Sequence, residues 1–412
     1  MDSFEREAWQ VVEILEQAGY EAYLVGGCVR DKHLQRPVYD YDITTSALPD
    51  DVIALFPHTV PTGIKHGTVT VLQGDGQYEV TTFRTDGEYE DGRRPSSVIF
   101  VRSLTEDLAR RDFTINAMAL SRDGRLHDPF GGLRDLRDGV VCAVGDPLKR
   151  FDEDALRILR GIRFACQLRF TIEERTFAAI VYEAQELGKI ARERVREEWH
   201  KMLLSSPSLA LDLLRRTDTL RYVITRPPTF DLQVNDPWGR GIDPWQLAGE
   251  WAEQAPADLP LRYAILLTAL RVEDARVDKV LSDLKLSGAL KSSIRNTLRV
   301  VKLGSPAEWR DVFWRETFYR CGKEAVRRAV LLHAILHDPE NRSRWEADVE
   351  RRAAAQPIWS LQDLALSGQD LIAAGLPEGP EIGRANQRLV HWVLQHPDAN
   401  TREQLLAKLQ DF

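Results

Sequence analysis

Cysteine is scarce in this chain: 412 residues carry four, Cys28, Cys142, Cys166 and Cys321, each alone. Scattered thiols exclude a paired CxxC zinc site and make a disulfide framework a poor expectation, so reduced, mostly buried thiols follow. Long hydrophobic runs are missing too. No stretch approaches the roughly 20 apolar residues that a membrane span needs, and the acidic start MDSFEREAW is unlike a signal peptide. We therefore expect a cytoplasmic protein with no membrane partner and no protein partner. There is no internal repeat and no low-complexity tract. An excess of positive charge is also lacking, since the net charge of -8 argues at first against nucleic acid. Distribution matters more than the sum. Residues 281–330 hold eleven Lys/Arg against five acids, interleaved with Trp309, Trp314, Phe318 and Tyr319. That tract reads equally well as an RNA-binding face or as a solvated helical face with aromatics in the core.

With 43% hydrophobic and 29% charged residues the composition is that of a globular chain, and its length calls for two to four modules. Up to about residue 145 short strand-like runs dominate (AYLVGG, YDYDITT, GTVTVLQG, YEVTTFR, SVIFV), after a first amphipathic helix at 4–18. From Asp152 onward apolar residues recur at helical spacing almost to the end. Pro- and Gly-rich breaks fall at 225–245, 303–309 and 375–383. An α+β head followed by all-helical modules is the predicted class.

The chemistry concentrates in YEAYLVGGCVRDKHLQRPVYDYDI, residues 20–43. A short strand runs into Gly26-Gly27, where backbone can approach a phosphate without a Cβ in the way. Arg30 follows, and then Asp40 and Asp42 at i, i+2. In a strand that spacing points both carboxylates to one face, close enough to share divalent cations. YEVTTFR adds Glu79 as a third carboxylate from a neighbouring strand. Two metals about 3.5–4 Å apart need several shared oxygens, so this set suits phosphoryl or nucleotidyl transfer. TDGEYEDGRRPSSV (85–98) looks like a mobile basic loop around Arg93 and Arg94. RRDFTINAMA (110–119) sets Arg110, Arg111 and Asp112 ahead of Asn116, and its plainest structural reading is a helix N-terminus with an acidic first turn.

DEDALRILRGIRFA (152–165) predicts Asp154 and Arg157 as i, i+3 neighbours on one helix face, with Arg160 and Arg163 continuing the spacing. One reading is an intrahelical salt bridge worth little. The other is base recognition: an acceptor beside a donor complements the amine and ring nitrogen that cytosine and adenine share, while uracil and guanine show the reverse. The remaining arginines would then face a triphosphate.

Taken together, GGCVRD with YDYD, RRDFTINA, DPFGG, EDALRILR and ERVREEW resemble the bacterial class II tRNA nucleotidyltransferases, the CCA-adding enzymes of the DNA polymerase β-like superfamily to which poly(A) polymerases also belong. The resemblance covers about residues 20–200. It implies a nucleotidyltransferase head with a mixed sheet (1–145), then a neck that recognises the base (146–205), a body (206–330) and a tail (331–412), with tRNA lying along the helical modules. It implies CTP and ATP as substrates, the tRNA 3′ end as partner and two Mg²⁺ ions. Gly27, Arg30, Arg111, Asp154, Arg157, Arg160 and Arg163 match the family's nucleotide-binding positions, Asp40 and Asp42 its metal ligands, and Asp112 with Asn116 would meet the ribose. CC-adding members lack the loop that carries Arg93 and Arg94 here, which favours complete CCA addition over CC-only, with A-only and poly(A) addition as alternatives. Two rivals come from other classes: an HD-type phosphohydrolase built on His333 and His337-Asp338, and a non-catalytic tRNA-binding protein.

Overall fold

The computed structural model describes residues 2–86, 98–224, 234–235 and 241–411. Two compact units result, Met1–Pro227 and Pro228–Phe412. The first opens with α1 (Ser3–Gln17), capped by Asp2, whose carboxylate accepts from the Glu5 N–H at 2.7 Å. Its buried Ala8, Val11, Val12 and Leu15 recur at 3–4 spacing and form the stripe that packs on the sheet.

That sheet has seven strands: β1 (Ala22–Val25), β2 (Asp42–Thr45), β3 (Thr59–Gly63), β4 (Thr68–Gln73), β5 (Gly76–Thr82), β8 (Ala119–Leu120) and β9 (Leu126–His127), in the order β3-β4-β5-β2-β1-β8-β9. Only β2 and β5 run parallel within it, so the sheet is mixed. A separate hairpin pairs β6 (Arg84–Asp86) with β7 (Val98–Phe100). Short helices α2 (Gly27–His33), α3 (Pro49–Leu55), α4 (Leu104–Ala109) and α5 (Gly132–Asp138) connect these strands. Ile43, Val69, Val71, Val80 and Phe83 lie in the head's core.

A short parallel pair, β10 (Val140–Val141) with β11 (Thr171–Ile172), joins the head to helices α6 (Pro147–Glu153), α7 (Leu156–Leu168), α8 (Glu174–Glu183), α9 (Arg192–Ser205), α10 (Pro207–Arg216) and α11 (Leu220–Val223). The α7 helix is buried nearly all round, packed against α9 and α10, with Trp199 of α9 fully enclosed. The helix predicted over 152–165 is thus two helices. Asp154 breaks it in extended backbone, φ −150° and ψ 103°.

The second unit is helical, from α12 (Pro244–Gln254) and α13 (Leu259–Ala269) through α14 (Asp274–Asp283), α15 (Gly288–Val301), α16 (Asp311–Cys321), α17 (Lys323–His337) and α18 (Arg342–Ala354) to α19 (Gly368–Ala373), α20 (Pro380–Gln395) and α21 (Arg402–Leu409). The aromatics of the basic tract belong to its interior. Trp309, Trp314 and Phe318 form one cluster with Val326, Val330 and Val349, and Tyr319 packs on a second around Leu371, Leu389 and Leu405. Several cations of the tract are committed internally as well: Arg328 grips both oxygens of Asp258 at 2.8–3.0 Å, and Arg315 donates to the Leu394 carbonyl at 2.6 Å. At the candidate phosphohydrolase site Asp338 accepts from Trp345 Nε1 at 2.9 Å and from Asn341 at 2.8 Å, so its carboxylate serves the fold.

Because Phe318 is fully buried, Phe318→Ala should destabilise the second unit by about 3–5 kcal/mol in urea unfolding. A loss below about 1 kcal/mol would return the aromatics of this tract to the surface.

Candidate active site

At the end of β1 the chain turns on Gly26, whose φ of +79° only glycine adopts without strain. A Cβ there would stand 3.2 Å from Arg111 Nη1 and 3.8 Å from Asp42 Oδ2, so this turn lets a guanidinium and a carboxylate converge on one point of backbone. Gly27 follows as the first residue of α2, and Arg30 one turn later donates to Asn116 Oδ1 at 2.7 Å and to Asp31 at 2.8–2.9 Å. These residues line one cavity of about 660 Å³, together with Asp40, Asp42, Arg110, Arg111, Asp112, Asn116, Asp154, Arg157, Arg160 and Arg163. That size is ample for a nucleotide.

The strand expected to carry both aspartates begins only at Asp42; Asp40 precedes it in irregular backbone and is exposed. Glu79 lies on β5 directly across from Asp42 in parallel register. Among the described residues no three His, Cys, Asp or Glu side chains are gathered closely enough to form a ready-made metal cage. Two carboxylates with substrate oxygens suit Mg²⁺, which is usually held that way rather than by an all-protein shell. Asp42 itself fits a cation. Burial pushes its carboxyl up, Arg111 pulls it down, and Glu79 and Asp40 push it up again, leaving it at about 6. Hard oxygen donors under mutual repulsion are what a bound divalent ion relieves.

The motif at 110–119 forms a 3₁₀ turn, Thr114–Asn116, rather than the N-terminus of a longer helix. Asp112 is almost fully buried, accepting from Arg160 Nε at 2.7 Å and Nη2 at 2.6 Å and from the Phe113 N–H at 2.9 Å. Burial works against its ionisation, but Arg160 and Arg157 outweigh burial and hold the carboxyl down at about 2. Asn116 Nδ2 reaches Asp112 at 3.4 Å, which joins the two polar groups into one network with Arg30.

Asp154 and Arg157 both reach the cavity, though not as neighbours on one helix face. Asp154 ends α6 and accepts from the N–H of Leu156, the first residue of α7, at 3.0 Å, and Arg194 of α9 pairs with it at 2.7 Å. Arg157 pairs instead with Glu153 and donates to the carbonyls of Arg150 and Arg110 at 3.2 and 3.3 Å. Arg160 and Arg163, expected to face a triphosphate, both line the cavity and are in addition held by carboxylates. Arg160 is engaged by Asp112, and Arg163, 7% exposed, is paired with the buried Glu198 and donates to Gln167 at 2.6 Å. The Phe164 ring sits among them, with the guanidinium carbons of Arg163, Arg30 and Arg160 at 3.9, 5.2 and 5.5 Å from its centroid. Arg93 and Arg94 lie outside the described residues.

Sequence reasoning missed Arg194, Glu198, Phe164 and Lys201. Arg194 and Glu198 stand within ERVREEW, where their i, i+4 spacing on one face was the available signal. Phe164 merges with the apolar stripe of α7, and nothing in the sequence separates it from core.

Residues 22–142 match the family described as the poly A polymerase head domain, 169–231 an RNA and SrmB-binding site of polymerase A, and 260–409 tRNA nucleotidyltransferase domain 2. The chain is 40% identical over 398 residues to a CCA-adding enzyme of Lactiplantibacillus plantarum, covering 96% of this chain and 93% of that one. With the CCA-adding enzyme of Enterococcus faecalis it shares 38% over 404 residues, 98% of this chain and 95% of the other. Among solved structures, the Bacillus stearothermophilus CCA-adding enzyme in complex with CTP superposes with a TM-score of 0.84 at 35% identity, covering 100% of this chain and 98% of that one. The Thermotoga maritima CCA-adding enzyme complexed with tRNA, at 21% identity and a TM-score of 0.61, shares the fold.

The raised carboxyl of Asp42 has a sign that can be measured. Its folded pKa of about 6 lies above the ordinary 3.8, so the folded state loses stability as pH rises from about 4 to 6. Without divalent cations at pH 8, Asp42→Asn should therefore be more stable than the parent by up to about 3 kcal/mol. The gain should vanish at pH 4 and shrink when Mg²⁺ is added. Urea melts across this range check it, and a variant no more stable at pH 8 would refute the burial of a strained charge.

Proposed function

The chain belongs to the CCA-adding enzymes, tRNA nucleotidyltransferases with a poly(A) polymerase head, and we propose that it adds C, C and A in turn to the tRNA 3′ end from CTP and ATP, releasing pyrophosphate without a template. The observation that carries this reading is the single cavity that collects the carboxylate pair, the glycine turn, the arginines and the Asp154/Arg157 edge. Such an enzyme works where tRNA is matured, and we assign it to the cytoplasm. We also retain the four-part division into head, neck, body and tail, with the helical modules as tRNA-binding surfaces.

Members of this superfamily use divalent metal ions. In our reading Asp40 and Asp42, with Glu79 beside them, would hold two Mg²⁺ ions, which when bound make the 3′-hydroxyl more acidic and neutralise charge on the phosphates. The chain's own groups do the positioning. Backbone at Gly26-Gly27 allows close approach of the triphosphate, and Arg30, Arg111 and Arg160 offer N–H donors to its oxygens. Asp112 and Asn116, tied together and to Arg30, present acceptor and donor to the ribose. Asp154 accepts from the exocyclic amine of cytosine or adenine while Arg157 donates to the adjacent ring nitrogen, so that UTP and GTP meet a mismatched edge. Arg163, held by Glu198, keeps the Arg160 side of α7 in place. The basic pair Arg93 and Arg94 serves the final A step.

The experiment is incubation of tRNA ending at the discriminator base with each labelled nucleotide, products sized at single-nucleotide resolution. Two C additions followed by one A are expected, and an A added only to tRNA ending in CC, or a long A tail on any RNA, would overturn the reading. Asp40→Ala should lower incorporation of both nucleotides by at least about 10²-fold with tRNA affinity near the parent's.

Arg157→Ala should cut the preference for CTP over UTP by about 5- to 150-fold, more than it slows CTP addition. Equal loss for all four nucleotides, with preference intact, would make Arg157 a structural residue only.

A further inference from the structure

Asp107 takes no part in the reaction as described, yet it is among the most heavily used carboxylates in the head. It lies on α4 and is fully buried. Its Oδ1 accepts from Arg110 Nε at 2.9 Å and Nη2 at 2.8 Å, and from the Arg84 backbone N–H at 3.4 Å. Its Oδ2 accepts from Thr44 Oγ1 at 3.1 Å and from Arg111 Nη2 at 3.3 Å. Thr44 is two residues beyond Asp42 on β2, on the same strand face. One carboxylate thus ties the strand of Asp42 to the arginine that leans over Gly26.

Arg111 is held in a particular way. Its Nη2 is anchored on Asp107 and its Nη1 overhangs the glycine turn, while its Nε–H is buried with no hydrogen-bond partner among the described residues. A buried donor left unmatched is unusual and calls for an explanation. A triphosphate oxygen arriving at the turn supplies one, since a guanidinium fork anchored at one end presents its other donors to a phosphate at fixed geometry. The residue before Arg111, Arg110 at the end of α4, offers its carbonyl to Arg157 Nη2 at 3.3 Å.

We propose that Asp107 is a positioning residue: by anchoring Arg111 and binding it to Thr44 on β2, it sets where the triphosphate is gripped relative to Asp42. This rests on the reading that Arg111 meets the nucleotide. Asp107 touches no substrate and acts through Arg111.

The test is steady-state kinetics of CTP and ATP addition by the full chain, comparing the parent, Asp107→Asn, Arg111→Ala and the double variant. Asp107→Asn should raise KM for both nucleotides by about 10- to 100-fold, with KM for tRNA near the parent's, because a charge-assisted contact is lost. In the Arg111→Ala background it should add almost nothing. An unchanged nucleotide KM, or effects that multiply in the double variant, overturns the proposal. Should Asp107→Asn fail to fold, Thr44 decides. Thr44→Val, which also drops a 3.3 Å bond to the Thr81 carbonyl, should raise nucleotide KM about 2- to 10-fold, and Thr44→Ser should restore it. Val and Ser variants alike in KM would overturn it. No CCA addition by the parent would instead indict the functional reading, and an Arg111→Ala variant with normal nucleotide KM would indict the role of Arg111 and this inference with it.

Discussion

Arginines gathered around a half-buried cavity repel one another, and this fold holds them because each comes with a carboxylate. Asp31 serves Arg30, Asp107 serves Arg110 and Arg111, Asp112 serves Arg160, Glu153 serves Arg157, Glu198 serves Arg163 and Asp154 serves Arg194. Each desolvated charge alone would cost several kcal/mol, and its partner with the added hydrogen bonds offsets that cost. Some of these pairs are local and others join distant segments: Glu198 reaches Arg163 from 35 residues away, Arg194 reaches Asp154 from 40 and Arg160 reaches Asp112 from 48. The packing of α7 on α9 and of both on the head is therefore a condition for the cavity's electrostatics as well as a means of burying apolar surface.

This pairing also explains how a chain of net charge -8 can take a triphosphate. The cations are concentrated around the one cavity where, on the proposed function, the phosphates would go, and neighbouring carboxylates hold them there. Asp112 is so strongly held that it stays ionised at any physiological pH. Asp42 is the opposite case: its surroundings lift its carboxyl to about 6, a cost to the fold that a cation at the same spot removes. On the proposed function, stability and catalysis are set against each other at this one residue.

Much of this was legible from residue types at short range. Gly26-Gly27 and the change from strand to helix periodicity express local geometry, and the α+β head with helical modules follows from them. What stayed hidden depends on packing. The strand begins at Asp42 rather than Asp40, and Glu79 faces Asp42 through a register that only the parallel β2–β5 pairing sets. The roles of Glu198 and Asp107 are long-range, and the sequence around them reads as ordinary helix. At 309–319 the sequence left two readings open, since interleaving with basic residues imitates an RNA platform, and helical spacing decides for the core by burying Trp309, Trp314 and Phe318.

Asp154 and Arg157 show how two residues expected on one helix face can reach the same cavity through a different geometry. Had both stood on one uninterrupted helix at i, i+3, they would have formed a salt bridge and spent acceptor and donor on each other. The chain instead leaves the helix at Asp154, which turns its carboxylate to the N-terminus of α7 and to Arg194, while Glu153 takes Arg157. Each group then has its own counter-ion and is oriented independently. Reading a base edge demands an acceptor and a donor held side by side without satisfying one another, and a break in the helix is the simplest way for a chain to supply that from residues three apart. On the proposed function, the extended backbone at Asp154 is what base recognition would require, and helical periodicity alone could not have revealed it.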